Sequence, residues 1–260
     1  MPGTEFADGA PNWLDLGSPD TGAATAFYGA VFGWRFVSVG PDTGGYGFFQ
    51  LDGKTVAALG PLTEEGARPA WMIHFKTDDV RATVRAVATA GGTVRMEPVD
   101  VMGEGWLAQA TDPRGAEFAL WQPGRTTGLD ITFAPDTLLW AELHTPEPAA
   151  DIAFYQGLFG WRVQEQQTGG MTYRVLSTRE GEQRTSAFGG AAPTGLGAGD
   201  GPRWVPYFHA VDVDAKAEAA RSAGGTVLMP VDDVPDVGRI AWLADPSGAV
   251  FALLQPDPRM

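Results

Sequence analysis

The chain has three His and no Cys, so its candidate chemistry centres on imidazole, carboxylate and aromatic side chains. His74 lies in the apolar run AWMIHFKT. Glu142 and His144 stand two apart in LLWAELHT. Asp15 sits in NWLDLGS, and Glu117 opens EFALWQ. Alternate residues of a strand share a face, so Glu142 and His144 would lie side by side. Two His and a carboxylate can hold a non-haem iron. A carboxylate in an apolar pocket, its pKa raised by burial, can instead serve as a general base, with His beside it. The lack of Cys removes disulfides, thiolate metal sites and Cys nucleophiles together.

The elements that would position these residues come twice. AFYGAVFGWR at 26–35 returns as AFYQGLFGWR at 153–162, with seven of ten positions identical. GGTV at 91–94 returns at 224–227, and DPRGAEFALWQP at 112–123 returns as DPSGAVFALLQP at 245–256. Three matches in the same order mean two homologous halves. They span 8–124 and 136–260, with 125–135 as linker. The offset grows from 127 to 133, largely through GGAAPTGLGAGDG at 189–201, which reads as a flexible loop.

Each half reads as strand–helix–strand–strand–strand, twice. NWLDLGS and LWAELHT are strands. SPD and TPE then open helices whose apolar stripe carries Phe27, Tyr28, Val31 and Phe32, and Gly33 and Gly160 stop them. Trp34 and Trp161 begin the next strand, followed by strands near 46–51, 55–60, 171–177 and 184–189. AWMIHFKT and RWVPYFHAV start the second unit, Asp79 and Asp212 cap its helices, and DPRG and DPSG fit type I turns. His209, matched by Lys76, is expected on the solvent side.

A net charge of −14 argues against nucleic acid and against an anionic membrane surface. No apolar run approaches the ~18 residues of a membrane span, and MPGTEFADGAPNW has neither the basic nor the apolar region of a signal peptide. A cytoplasmic protein is expected.

The motif FYxxxFGW, the AGG turn and the DPxG hairpin resemble those of the vicinal oxygen chelate superfamily, the fold of glyoxalase I, extradiol dioxygenases and bleomycin-resistance proteins. The likeness is strongest to a tandem subgroup that includes a mycobacterial antigen of about this length. It implies an α+β fold of four βαβββ modules, forming curved mixed sheets around concave cavities. It also implies where the enzymes of the family hold their metal. Those positions are Trp13, Met72 and Ala119 in the first half, and Trp140, Val205 and Ala252 in the second. A further position falls near Ala57 or Ala58, and near Ser186 or Ala187. None is a normal donor for a divalent cation. Asp15, His74 and Glu117, or Glu142 and His144, lie within two residues on the same strand face, so a relocated site is an alternative.

The resemblance therefore implies aromatic, apolar concave faces with a few polar groups. Trp13, Asp15, Met72, His74, Glu117, Ala119 and Trp121 would line one, and Trp140, Glu142, His144, Val205, Tyr207, Ala252 and Leu254 the other. Tyr46 and Tyr173 match each other and would stack at a pocket mouth. Such walls suit a small-molecule site. The expectation is cofactor- and metal-free binding of a bulky aromatic molecule in natural-product metabolism, for sequestration, resistance or handling. The alternatives are a cofactor-free enzyme on such a molecule, with His74, Glu117, Glu142 and His144 as candidate catalytic groups, and a metal-dependent glyoxalase or dioxygenase. No nucleic acid or membrane partner is expected, and a monomer or homodimer is.

Overall fold

A computed structural model of the chain describes residues 6–64, 66–168, 171–179, 186–194 and 201–257. The first half contains β1 (Pro11–Ser18), α1 (Thr21–Phe32), β2 (Arg35–Ser38), β3 (Gly47–Leu51) and β4 (Lys54–Pro61). Its second module contains β5 (Ala70–Lys76), α2 (Val80–Thr89), β6 (Thr93–Asp100), β7 (Gly105–Thr111) and β8 (Glu117–Pro123). The second half repeats this order with β9 (Leu138–Thr145), α3 (Pro148–Phe159), β10 (Arg162–Thr168), β11 (Met171–Ser177) and β12 (Ala187–Pro193). Then come β13 (Arg203–His209), α4 (Val213–Ser222), β14 (Thr226–Val234), β15 (Gly238–Ala244) and β16 (Val250–Pro256). Each half forms one eight-stranded mixed sheet. The strand orders are β2-β3-β4-β1-β5-β8-β7-β6 and β10-β11-β12-β9-β13-β16-β15-β14. The two modules of a half thus pair with each other, through β1 against β5 and β9 against β13. The fold is the α+β, tandem, curved-sheet architecture that the motifs imply.

Local chemistry explains the boundaries. Asp20, Asp79 and Asp212 each accept a hydrogen bond from the backbone N–H three residues on, at 2.9 Å, the N-cap geometry. Glu147 precedes α3 without such a bond and instead reaches Arg114 at 2.7 Å. Gly33 and Gly160 end α1 and α3 in the left-handed region, at φ 73 and 66. In the hairpins, Gly115 N–H donates to Asp112 O and Gly248 N–H to Asp245 O, as a type I turn requires.

The core lies between the halves. α1 lays Phe27, Tyr28 and Phe32 against Phe208 and Phe251 of the second sheet, while α3 lays Phe154, Tyr155 and Phe159 against Phe75 and Phe118 of the first. Tyr28 OH donates to Asp245 at 3.3 Å and accepts from Trp71 Nε1 at 3.1 Å. Tyr155 repeats this with Asp112 at 3.2 Å and Trp204 at 2.9 Å. The Tyr of the helix motif in one half therefore meets the Asp of the hairpin motif in the other.

Two details differ from the sequence expectations, and a third shows how the linker is held. Trp34 and Trp161 precede β2 and β10 rather than start them. They turn into the core, donating to Asp136 O and Gly9 O. The stretch around 189 is mostly strand β12, and residues 195–200 of the expected loop lie outside the described residues. The linker is held: Leu129 N–H donates to Asn12 O, and Asp130 accepts from Thr55 N–H at 2.7 Å. Among the described residues, no helix is long and apolar enough to cross a membrane.

Candidate functional site

Helices and core occupy one face of each sheet, which leaves the concave face to be built by strand register alone. In the first half Trp13 stands opposite His74, His74 beside Ala119, and Ala119 opposite Gln109. Asp15 stands opposite Met72 and beside Ala58. In the second half the same row reads Trp140, Tyr207, Ala252 and Trp242, and Glu142 stands opposite Val205 and beside Gly190. Cross-strand partners share a face, so register alone gathers these residues. Gly190, rather than Ser186 or Ala187, is therefore the second-half partner of Ala58.

One carboxylate organises each face. Asp15 Oδ1 accepts from Tyr46 OH at 2.6 Å and from Trp13 Nε1 at 3.1 Å. Asp15 Oδ2 lies 2.8 Å from His74 Nε2, and His74 Nδ1 is enclosed with no partner among the described residues. Glu142 Oε1 takes Tyr207 OH and His144 Nε2, both at 2.6 Å, and Oε2 takes Tyr173 OH at 2.5 Å. Trp140 Nε1 donates to Tyr173 OH at 2.9 Å and Trp242 Nε1 to Tyr207 OH at 3.2 Å. Each Tyr is thus a donor to the carboxylate and an acceptor for an indole.

Burial alone would raise both carboxyl pKa values. The charge of the neighbouring His and the Tyr and Trp or His hydrogen bonds outweigh it, so Asp15 and Glu142 both sit below the usual carboxylate range. This reverses the expectation of a raised, base-like carboxyl. Burial and the adjacent carboxylate hold Tyr46, Tyr173 and Tyr207 well above 10, so all three remain proton donors.

The remaining candidates divide. Trp121 stacks on Trp13 at 6.4 Å with planes 20° apart, and its Nε1 donates to Thr126 O at 2.9 Å. Val205, Tyr207, Trp242, Ala252 and Leu254 form a buried cluster with Trp140 against it. Tyr46 and Tyr173 do not stack freely at a mouth, because their hydroxyls are tied to the carboxylates. Glu117 leaves the group: it is ion-paired to Arg95, which also reaches Glu64 at 2.8 Å. It lines a cleft of about 680 Å³ between the halves, with Trp71 and Trp204. His209 lies beside Leu254 on the Tyr207 face and is half-buried, because residues two apart on a strand point the same way; it is not on the solvent side. Trp242 went unforeseen. Its signal was its place in GRIAWLA, a strand that pairs with the one carrying Ala252.

Two curved sheets, each from two βαβββ modules with one carboxylate at the centre of an aromatic concave face, define the class: a tandem chelate-type fold. The chain belongs to the Glyoxalase/Bleomycin resistance protein/Dioxygenase superfamily, whose family model matches residues 10–120 and 137–253. It is 37% identical over 263 residues to the candidate glyoxylase CFP32 of Mycobacterium tuberculosis, covering 98% of each chain. It is also 37% identical over 267 residues to the anthracycline biosynthesis protein DnrV of Streptomyces peucetius, covering 97% of this chain and 95% of that one. Among solved structures, the Mn(II)-bound glyoxalase from Novosphingobium aromaticivorans superposes with a TM-score of 0.64 at 18% identity, covering 96% of this chain and 83% of that one. The 2,3-dioxygenase LapB from Pseudomonas sp. KL28 gives 0.64 at 14%, covering 97% and 96%. At such identities the likeness is of fold.

The metal held by such a glyoxalase does not fit the side chains here. Trp13, Met72, Ala119, Trp140, Val205 and Ala252 offer no donor of the kind a divalent cation takes. The relocated alternative gathers one carboxylate and one His per face. Among the described residues, no three His, Asp or Glu converge.

Proposed function

We propose that the protein binds a bulky, flat aromatic molecule on a concave face without a metal, and handles it in natural-product metabolism. The observation that carries this reading is the double substitution of the face. Indoles and small apolar groups stand where a cation's donors would be, and the remaining carboxylate is bound by Tyr and by Trp or His instead. Trp13 and Trp121 stack on each other as a buried aromatic wall behind the half-buried Met72 and Gln109, and the polar groups are few and fixed, as in organic-ligand sites. The likeness to DnrV, and to DauV of Streptomyces sp. at 36%, both named for anthracycline biosynthesis, supports a polycyclic aromatic ligand. The partner is thus an apolar small molecule rather than nucleic acid or membrane, and because the tandem halves share one core the chain works as a monomer.

Native mass spectrometry of protein taken from its producing host tests this. A retained organic molecule with no metal is the expected result. A stoichiometric metal lost on mutating His74 or His144 would overturn it.

The Asp15–His74 pair favours a second reading, proton transfer on the bound molecule by His74 steadied by Asp15. Turnover of an aromatic ligand, lost in His74→Gln while binding remains, separates catalysis from carriage.

A further inference from the structure

We propose that the two concave faces are inequivalent: the first half alone takes the ligand, and Asp15 accepts a hydrogen bond from a phenolic hydroxyl on its ring. The inference rests on the aromatic-binding reading and adds to it which face is used and what the ring carries.

The repeat supplies an internal control. Trp13 matches Trp140, Asp15 matches Glu142, and Tyr46 matches Tyr173. In both halves that Tyr donates to the carboxylate, at 2.6 and 2.5 Å. The differences lie at the next positions. Where the first half has His74 and Gln109, the second has Tyr207 and Trp242; where the first has Gly17, the second has His144. Each second-half residue turns toward the carboxylate or covers it. Tyr207 and His144 occupy Oε1 and Tyr173 occupies Oε2. Trp242 donates to Tyr207 and packs edge-on to His144 at 4.4 Å. Glu142 keeps 9% of its side chain accessible, and both of its oxygens are engaged.

The first half lacks this closure. Asp15 keeps 22% of its side chain accessible. Its Oδ1 carries Tyr46 and Trp13, but Oδ2 faces only the His74 ring, 2.8 Å away. His74 is 1% exposed and leaves Nδ1 unpartnered, an unfinished network of a sort that buried polar groups avoid. A phenolic O–H suits the vacancy, because the same carboxylate already accepts a phenol from Tyr46, and an ionised acceptor makes such bonds strong. The ring would enter beside Met72 and Gln109, the half-buried members of this row, with the buried Trp13 indole behind Asp15.

The test titrates 2-hydroxyanthraquinone and 2-methoxyanthraquinone into the full chain by calorimetry and tryptophan quenching. One equivalent per chain is expected for each. Asp15→Asn is expected to weaken the hydroxy probe roughly tenfold more than the methoxy probe, the scale of one charge-assisted hydrogen bond. Gln109→Trp, which copies the second half's covering indole and does not depend on Asp15, is expected to abolish both. Two equal sites, indifference of the hydroxy probe to Asp15→Asn, equal weakening of the methoxy probe in an Asp15→Asn protein that melts like wild type, or retention of both probes by Gln109→Trp overturns the inference while leaving aromatic binding intact. Failure of both probes to bind the wild-type chain overturns the aromatic-binding reading and this inference with it.

Discussion

Tyr173 and Tyr207 converge on Glu142 from two strands, and His144 joins them from its own. Together they turn a buried charge from a liability into the fixed point of the face. An amide there keeps one acceptor oxygen but sets an NH2 against the donors on the other, which costs roughly 1–3 kcal/mol for a buried group. Glu142→Gln is therefore expected to lower stability by about that much at pH 7, read by urea denaturation. The sign with pH follows from the depressed carboxyl. Its contribution is fully present above the unfolded value near 4.5 and is lost as pH falls through the lower folded value. The gap between wild type and Glu142→Gln should narrow below pH 4.5; a gap that widens there contradicts the network. Asp112 and Asp245 run the other way, because burial outweighs their backbone hydrogen bonds and leaves them raised above 3.8. What they contribute is present below 3.8 and is lost as pH rises through the folded values. The sequence named Asp15, His74, Glu142 and His144 as neighbours on strand faces, and register places them so. It did not foretell that the Tyr hydroxyls, 31 residues along the chain from each carboxylate, would close on them, nor that Arg95 would take Glu117 away. Those pairings depend on how far a sheet curves, which alternation does not encode.

At the scale of the element, β12 shows what a small residue permits. A Cβ on Gly190 would lie 2.0 Å from Tyr173 Oη, so the phenol crosses β12 only because nothing is there. Gly190→Ala is expected to displace Tyr173 from Glu142 and to destabilise the fold by about 1–3 kcal/mol, as overpacking does; an unchanged melt would contradict that placement. Gly157, inside α3, is the contrast, since a Cβ there meets nothing within 4 Å. Gly157→Ala should raise stability by about 0.5–1 kcal/mol, the helix-propensity difference. The helices were legible in the sequence because caps and stops are local: Asp20, Asp79, Asp212, Gly33 and Gly160 each act within one turn. β12 was legible only at its start, where the strand expected at 184–189 overlaps Ala187–Pro193; its second half was hidden because a glycine pair that spells a loop by composition serves here as room for a neighbour's side chain.

For the whole molecule, the duplication is an interlock rather than two beads. Tyr28 with Asp245, and Tyr155 with Asp112, join helix motif to hairpin motif across the halves, and Lys216 reaches Val31 O at 2.8 Å and Asp136 at 2.6 Å. The repeated motifs were plain in the sequence, but that one copy's Tyr serves the other copy's Asp was not, since identity between halves says nothing about which half a side chain enters. Expressed separately, residues 1–132 and 133–260 should each fail to give a cooperative melt, because each would bare the aromatic face of its sheet. Co-expressed, they should copurify. Cooperative folding of either piece alone would contradict a shared core.

The most direct test of the central claim is calorimetric titration of 2-hydroxyanthraquinone into protein dialysed against EDTA, repeated with added Mn(II) or Fe(II). Binding that is undiminished by the chelator and unchanged by the metal is the predicted result. Binding that vanishes on chelation and returns with the ion would contradict it, and would mean that the carboxylate–His pairs hold a cation rather than brace an aromatic pocket.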